Sequence, residues 1–206
     1  VTATRQVTRI NEQLSDVTVL ERADLDDAGQ TTVAEILARQ PGLEYASNGG
    51  PGASSSVYMR GGANARHTVV LIDGMPLSRQ DASGQVGIEH LMLDQVERIE
   101  IVRGNVSALY GGGAVGGVIQ VFTRQPGDKP EASLRLEAGA RGFVHGAAQA
   151  SARFGATAVS VGVSRETDRG FSALDPAQRP AANPDRDGYG NTSASLRLQH
   201  TLAPGH

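Results

Sequence analysis

Between residues 125 and 130 the chain changes its rule. Gln125-Pro126-Gly127-Asp128-Lys129-Pro130 separates a mixed N-terminal half from a C-terminal part in which apolar and polar residues alternate. Ala132, Leu134, Leu136 and Ala138 alternate with Ser133, Arg135 and Glu137. Val144, Gly146, Ala148, Ala150 and Ala152 alternate with His145, Gln149, Ser151 and Arg153. Val159, Val161 and Val163 alternate with Ser160 and Gly162, and Ala194, Leu196, Leu198 and Leu202 alternate with Ser195, Arg197, Gln199 and Thr201. A period of two sends successive side chains to opposite faces of a strand. Turns are expected at Gly139 to Gly142 and at Gly155-Ala156, and a long polar stretch runs from Thr167 to Asn191. The pattern predicts four antiparallel strands of roughly ten residues, a length and alternation that suit tilted strands crossing a membrane, apolar side outward. A soluble antiparallel sheet with one wet face carries the same alternation, and the pattern does not separate the two. The missing aromatic girdle and the small alanines of the second run weigh against a lipid-facing surface.

The first half is an α+β sequence. Val17-Thr18-Val19-Leu20 predicts a strand. Thr32-x-x-Glu35 is a capping box, with Val33, Ile36 and Leu37 on one helical face and Pro41-Gly42 as the stop. Val57 to Arg60 and Thr68 to Ile72 predict strands, the second ending in the turn Asp73-Gly74. Ile88 to Gln95 suits a short helix, and Val96 to Val102 alternates as a half-buried strand does. Long glycine-containing loops are expected at 47–56 and 78–87.

Five glycines fall in the seven residues Gly111 to Gly117. Gly111-x-Gly113-x-x-Gly116 has the form of a dinucleotide fingerprint, which requires a helix to follow. Here Val118 to Thr123 follows, a β-branched and aromatic run stopped by Gln125-Pro126-Gly127, so a strand is expected. No Gly-Lys-Ser/Thr follows, which removes a P-loop. The 206 residues carry a net charge of −3, too near neutral to suggest a nucleic-acid binder. With no cysteine there is no disulfide framework and no thiol catalyst. His67, His90, His145, His200 and His206 are scattered, and none falls in a constellation with Ser and Asp, so an enzyme is not expected. No run of about 18 apolar residues is present to span a membrane as a helix. No signal peptide stands at Val1, so the expectation is either a cytoplasmic protein or one whose targeting segment has been removed.

Taken together, Val57-Tyr58-Met59-Arg60-Gly61, Val69-Val70-Leu71-Ile72-Asp73-Gly74, Val96 to Gly104, Ser107-Ala108-Leu109-Tyr110-Gly111 and Gly116-Gly117-Val118-Ile119 resemble the plug domain of TonB-dependent outer-membrane receptors, in order and spacing. Asn105 stands where the family usually has Pro, and Gly112 where Ser is common. The resemblance implies a plug over residues 1–127, a small mixed sheet with short helices, followed over 128–206 by the first four antiparallel strands of an incomplete transmembrane β-barrel. It implies that the glycines bring a tight turn close to neighbouring backbone before the last plug strand. It implies a bacterial outer-membrane location, with TonB as partner and no nucleic acid. Val1, Thr2 and Ala3 resemble the end of the TonB box, which pairs as an extended strand. Arg60 and Arg103 match the two plug arginines that meet glutamates of the barrel wall; the alternative is two surface arginines.

Within that family the chain is most similar to the cobalamin receptors, at Asn48-Gly49-Gly50-Pro51-Gly52 through Ser54-Ser55-Ser56 and at Ala82-Ser83-Gly84. The resemblance implies that Asn48, Ser54, Ser55, Ser56, Ala82 and Ser83 contact substrate, cobalamin first and a ferric siderophore or other metal chelate as the alternative. Short amide and hydroxyl side chains can hydrogen-bond the rim of a large, nearly uncharged ligand. Serines in a glycine-rich loop are also ordinary turn residues. Asp185-Arg186-Asp187-Gly188 resembles the calcium-binding loop of the same receptors, so Ca2+ at Asp185 and Asp187 is an expectation; no cofactor is otherwise required. A reading from another class is an isolated binding module without transport, because four strands cannot close a barrel and leave two open edges.

Overall fold

The computed structural model describes residues 16–29, 31–62, 64–77, 87–172 and 186–202. The chain forms two compact units. Residues up to Asn48 with Ala53–Thr123 make one, and Gly49–Gly52 with the residues from Arg124 onward make the other.

The first unit is the expected mixed α+β fold. Its strands are β1 (Asp16–Leu20), β2 (Leu43–Ser47), β3 (Ser55–Met59), β4 (Thr68–Ile72), β5 (Met75–Pro76), β6 (Val96–Arg103) and β7 (Gly117–Thr123). Three short helices lie among them: α1 (Arg22–Asp27), α2 (Val33–Leu37) and α3 (Ser107–Tyr110). The main sheet has the order β1-β6-β7-β4-β5, with β4 and β7 parallel and the other pairs antiparallel. β2 and β3 form a separate hairpin. The core joins the sheet to the helices: Leu25, Val33, Leu37, Ile99, Ile101 and Ile119 are fully buried. Each such side chain contributes on the order of 1.5–3 kcal/mol of transfer free energy.

Local chemistry explains several elements. Thr32 Oγ1 accepts from Glu35 N at 3.3 Å while Glu35 Oε2 accepts from Thr32 N at 3.2 Å, so the capping box starts α2. Asp73 and Gly74 take φ of 48° and 83°, the two positive values of the tight turn between β4 and β5. Asp73 also accepts from Thr123 N at 2.9 Å and ties that turn to β7. The glycine run ends in a close approach. At Gly117 (φ 151°) a Cβ would lie 2.2 Å from Val102 O and 2.4 Å from Met59 Sδ, so no side chain fits there.

Two expectations need correction. Ile88 to Gln95 is not a helix; only Leu93–Gln95 makes one 3-10 turn. Several of its backbone groups bond to the neighbouring segment. Leu91 O accepts from Val33 N at 2.8 Å, Leu93 N donates to Thr31 O at 2.8 Å, and Met92 bridges Thr32. The loop expected at 47–56 is also shorter, because β3 begins at Ser55 and pairs Ser55 with Ser47.

The second unit is an antiparallel sheet of order β11-β10-β9-β8, with β8 Glu131–Ala138, β9 Val144–Phe154, β10 Thr157–Asp168 and β11 Tyr189–His200. The two longest strands have 12 residues, enough to cross a bilayer at a tilt. At Gly170 (φ 65°) a Cβ would lie 1.8 Å from Asp187 O, so the backbone beyond β10 meets the backbone before β11 with no room for a side chain.

Candidate functional site

The arginines singled out in the sequence meet at one carboxylate. β1 pairs with β6 so that Asp16 stands opposite Arg103. Arg103 Nη1 lies 3.4 Å from Asp16 Oδ1 and donates to Thr18 Oγ1 at 2.7 Å, while its Nε donates to Pro41 O at 3.0 Å. Arg103 is buried. Arg60 approaches the other oxygen of the same carboxylate, Nη2 to Oδ2 at 3.4 Å, and is 54% exposed. Its backbone has φ 52°, uncommon for a residue other than Gly, Asn or Asp. Gly104 lets the Arg60 guanidinium lie close: a Cβ there would sit 3.3 Å from Nη1. Two guanidinium groups and one carboxylate leave one net positive charge, and the exposed Arg60 has donors to spare. Asp16 did not emerge from the sequence reading, which began the strand at Val17. The signal was there in charge complementarity, since an antiparallel pairing of residues 16–20 with 99–103 sets Asp opposite Arg.

The residues proposed to touch ligand divide by exposure. Asn48 is exposed and donates its backbone N–H to Ser54 O at 3.1 Å; Ser54 is half-buried. Ser55 and Ser56 are strand residues of β3 and are buried. Ser55 Oγ donates to the buried Glu89 Oε2 at 3.2 Å, and Ser56 lines a small cavity with Thr68 and Ile88. Ala82 and Ser83 lie outside the described residues, as do Val1, Thr2, Ala3 and Asp185. Asp187 is exposed, and its backbone N–H donates to Phe171 O at 3.4 Å. Among the described residues no group of three His, Asp or Glu side chains is placed to hold a metal ion.

The four-stranded sheet has its faces inverted relative to a water-soluble sheet. The register places His145, Ala147, Gln149 and Ser151 on one face with Arg135, Glu137, Ser164 and Glu166. That polar face is the more buried. His145 is 1% exposed and its Nδ1 stands 3.6 Å from Glu166 Oε2. Arg135 pairs with Glu137, and Arg153 Nε lies 2.9 Å from Asp128 Oδ1. The opposite face is apolar and open: Leu134, Leu136, Phe154, Leu196 and Leu198 are 66–75% exposed. Patches of this kind on a soluble monomer mark an interaction surface.

A family profile described as the TonB-dependent Receptor Plug Domain matches residues 9–118. Among solved structures, the ferric yersiniabactin uptake receptor FyuA from Yersinia pestis is similar, with 25% identity and a TM-score of 0.72 over 89% of this chain. The pyoverdine outer membrane receptor FpvA from Pseudomonas aeruginosa has the same fold over 98% of this chain, with a TM-score of 0.81 and 20% identity. A ferric enterobactin receptor from Pseudomonas aeruginosa, PfeA, matches over 91% with a TM-score of 0.67 and 21% identity. The chain spans about 28% of the length of the first two and 31% of the third.

Proposed function

The chain belongs to the TonB-dependent receptor plug-domain family, and from that premise we propose that it is the plug and first wall strands of an outer-membrane receptor that imports a ferric siderophore. The observation that carries this reading is the coexistence, in one chain, of a plug-family unit and a sheet whose exposed face is apolar. A sheet built for water exposes its polar face; this one fits a wall with lipid outside and a polar interior. The names of the similar structures, all receptors for iron chelates or their chelators, favour a siderophore as cargo.

In this reading no bond is made or broken. Ligand binds on the side of Asn48 and Ser54, and TonB engages the segment of Val1, Thr2 and Ala3 and draws on the plug. The net positive charge left by Asp16 with Arg60 and Arg103 suits a further carboxylate from the rest of the barrel wall, the role proposed for both arginines. A second reading, cobalamin as cargo, is favoured by the neutral character of Asn48 and Ser54 in the β2–β3 connection. Calcium at Asp185 and Asp187 goes with that second reading.

Binding to the intact receptor in isolated outer membranes separates the two. Saturable binding of a ferric siderophore, with none of cobalamin, is the expected result. Cobalamin binding weakened by a calcium chelator would replace the cargo assignment and leave the plug assignment standing.

A further inference from the structure

Within the four strands the carboxylates are Glu131, Glu137, Glu166 and Asp168. The register puts all four on the polar face, with His145, Ser151 and Tyr189 as their cross-strand neighbours. Arg135, Arg153 and Arg197 lie on that face too, opposite Ala147, Ala158 and Ser160. On the apolar face the strands hold two basic residues and no acid. His200 is at one end, opposite Thr157. Arg165 is near the other, one step past Val159, Val161 and Val163 in β10. Arg165 is exposed, and Nη1 donates to Thr192 Oγ1 at 3.1 Å, which fixes the guanidinium on the apolar side.

Arg169 continues the same row. The pairing Thr167 with Val144, carried two residues further, sets Arg169 opposite Gly142. Arg169 N donates to Arg141 O at 3.2 Å, and a Cβ on Gly142 would meet Arg169 Nε at 2.9 Å, so the side chain lies across that glycine. It is exposed as well. Neither Arg165 nor Arg169 has a carboxylate partner among the described residues. Among the described residues, an apolar band that gives way at this end to two guanidinium groups without a carboxylate partner has the charge profile of a bilayer edge rich in phosphate.

We propose that Arg165 and Arg169 bind the phosphate groups of lipid headgroups in the leaflet at the end of the sheet where β10 leaves it. The bond is a charge-assisted hydrogen bond from a planar donor fork to phosphate oxygens. This rests on the membrane-wall reading of the sheet.

The test is native mass spectrometry of the intact receptor in neutral detergent, titrated with lipid A, phosphatidylglycerol, phosphatidylcholine or inorganic phosphate. The unmodified receptor is expected to prefer the two anionic lipids, and added salt is expected to erase that preference. Arg165→Gln and Arg169→Gln each weaken it roughly fivefold, while Arg197→Gln, on the other face, leaves it unchanged. Equal affinity for phosphatidylcholine and the anionic lipids in the unmodified receptor overturns the proposal, whatever the variants do. Inorganic phosphate binding as well as the lipids overturns it in favour of a free-anion site. A receptor absent from the membrane fraction of cells breaks the membrane-wall reading itself; a receptor in the membrane without headgroup preference breaks only this inference.

Discussion

The two units cover their strands differently. In β6 and β7 of the plug, Ile99, Ile101 and Ile119 are fully buried. In β10 and β11, Val161, Val163, Leu196 and Leu198 occupy equivalent steps of a strand and are 44–68% exposed. A period of two therefore decides which residues share a face, and the surroundings decide which face is covered. In β6 and β7 both faces are covered, with Val102 and Val118 as buried as the isoleucines, whereas the sheet leaves its apolar face open, as the proposed membrane wall requires.

The largest expected effect is in the plug core. Ile119→Ala should lower plug stability by about 2–5 kcal/mol through a cavity, read as faster hydrogen exchange of β7 amides in the intact receptor. Leu196→Ala, the same kind of truncation on the open face of the sheet, should change stability in detergent by no more than about 0.5 kcal/mol. Equal losses at the two sites would break the contrast. Next comes Val161→Arg, near the middle of β10 on the apolar face. It should destabilise the receptor refolded into bilayers by about 2–4 kcal/mol, and Ser160→Arg, on the polar face, by much less; equilibrium unfolding from vesicles measures both. If Ser160→Arg costs as much, the assignment of faces fails. Thr32→Ala removes the α2 cap and should cost about 1 kcal/mol, measured by denaturant unfolding. The smallest effect is Asp16→Asn. Its carboxylate is half-exposed, so the loss should be under about 1 kcal/mol and shrink with added salt; a loss insensitive to salt would show that Thr18 and Pro41, not charge, hold Arg103.

Features set by neighbours in sequence were legible. The Thr32 and Glu35 box, the Asp73-Gly74 turn and the alternating strands all depend on spacings of one to four residues. The glycine run was legible as a close approach, although not its partner, Val102 O across β6. What depends on distant chain was not. Ile88 to Gln95 has helical spacing, yet its backbone is claimed by Thr31 and Val33, about sixty residues earlier in the chain. Ser55 and Ser56 read as loop because serine favours turns, and the pairing with β2 makes them strand. Asp16 was missed because a carboxylate at the start of a strand has no local signature; its role exists only once β1 lies beside β6.

The position of β1 has a mechanical consequence. It is an outermost strand of the plug sheet, joined to β6 by five residue pairs, and the chain reaches it from the N-terminal side at Asp16. A load arriving along the chain meets the Asp16–Arg103 rung before any other. Drawn sideways from β6, β1 would peel toward Leu20 rung by rung without first parting β6 from β7, whose strands lie further in. The plug sheet is thus like a seam whose loose thread is β1, with the buried isoleucines stitched further in.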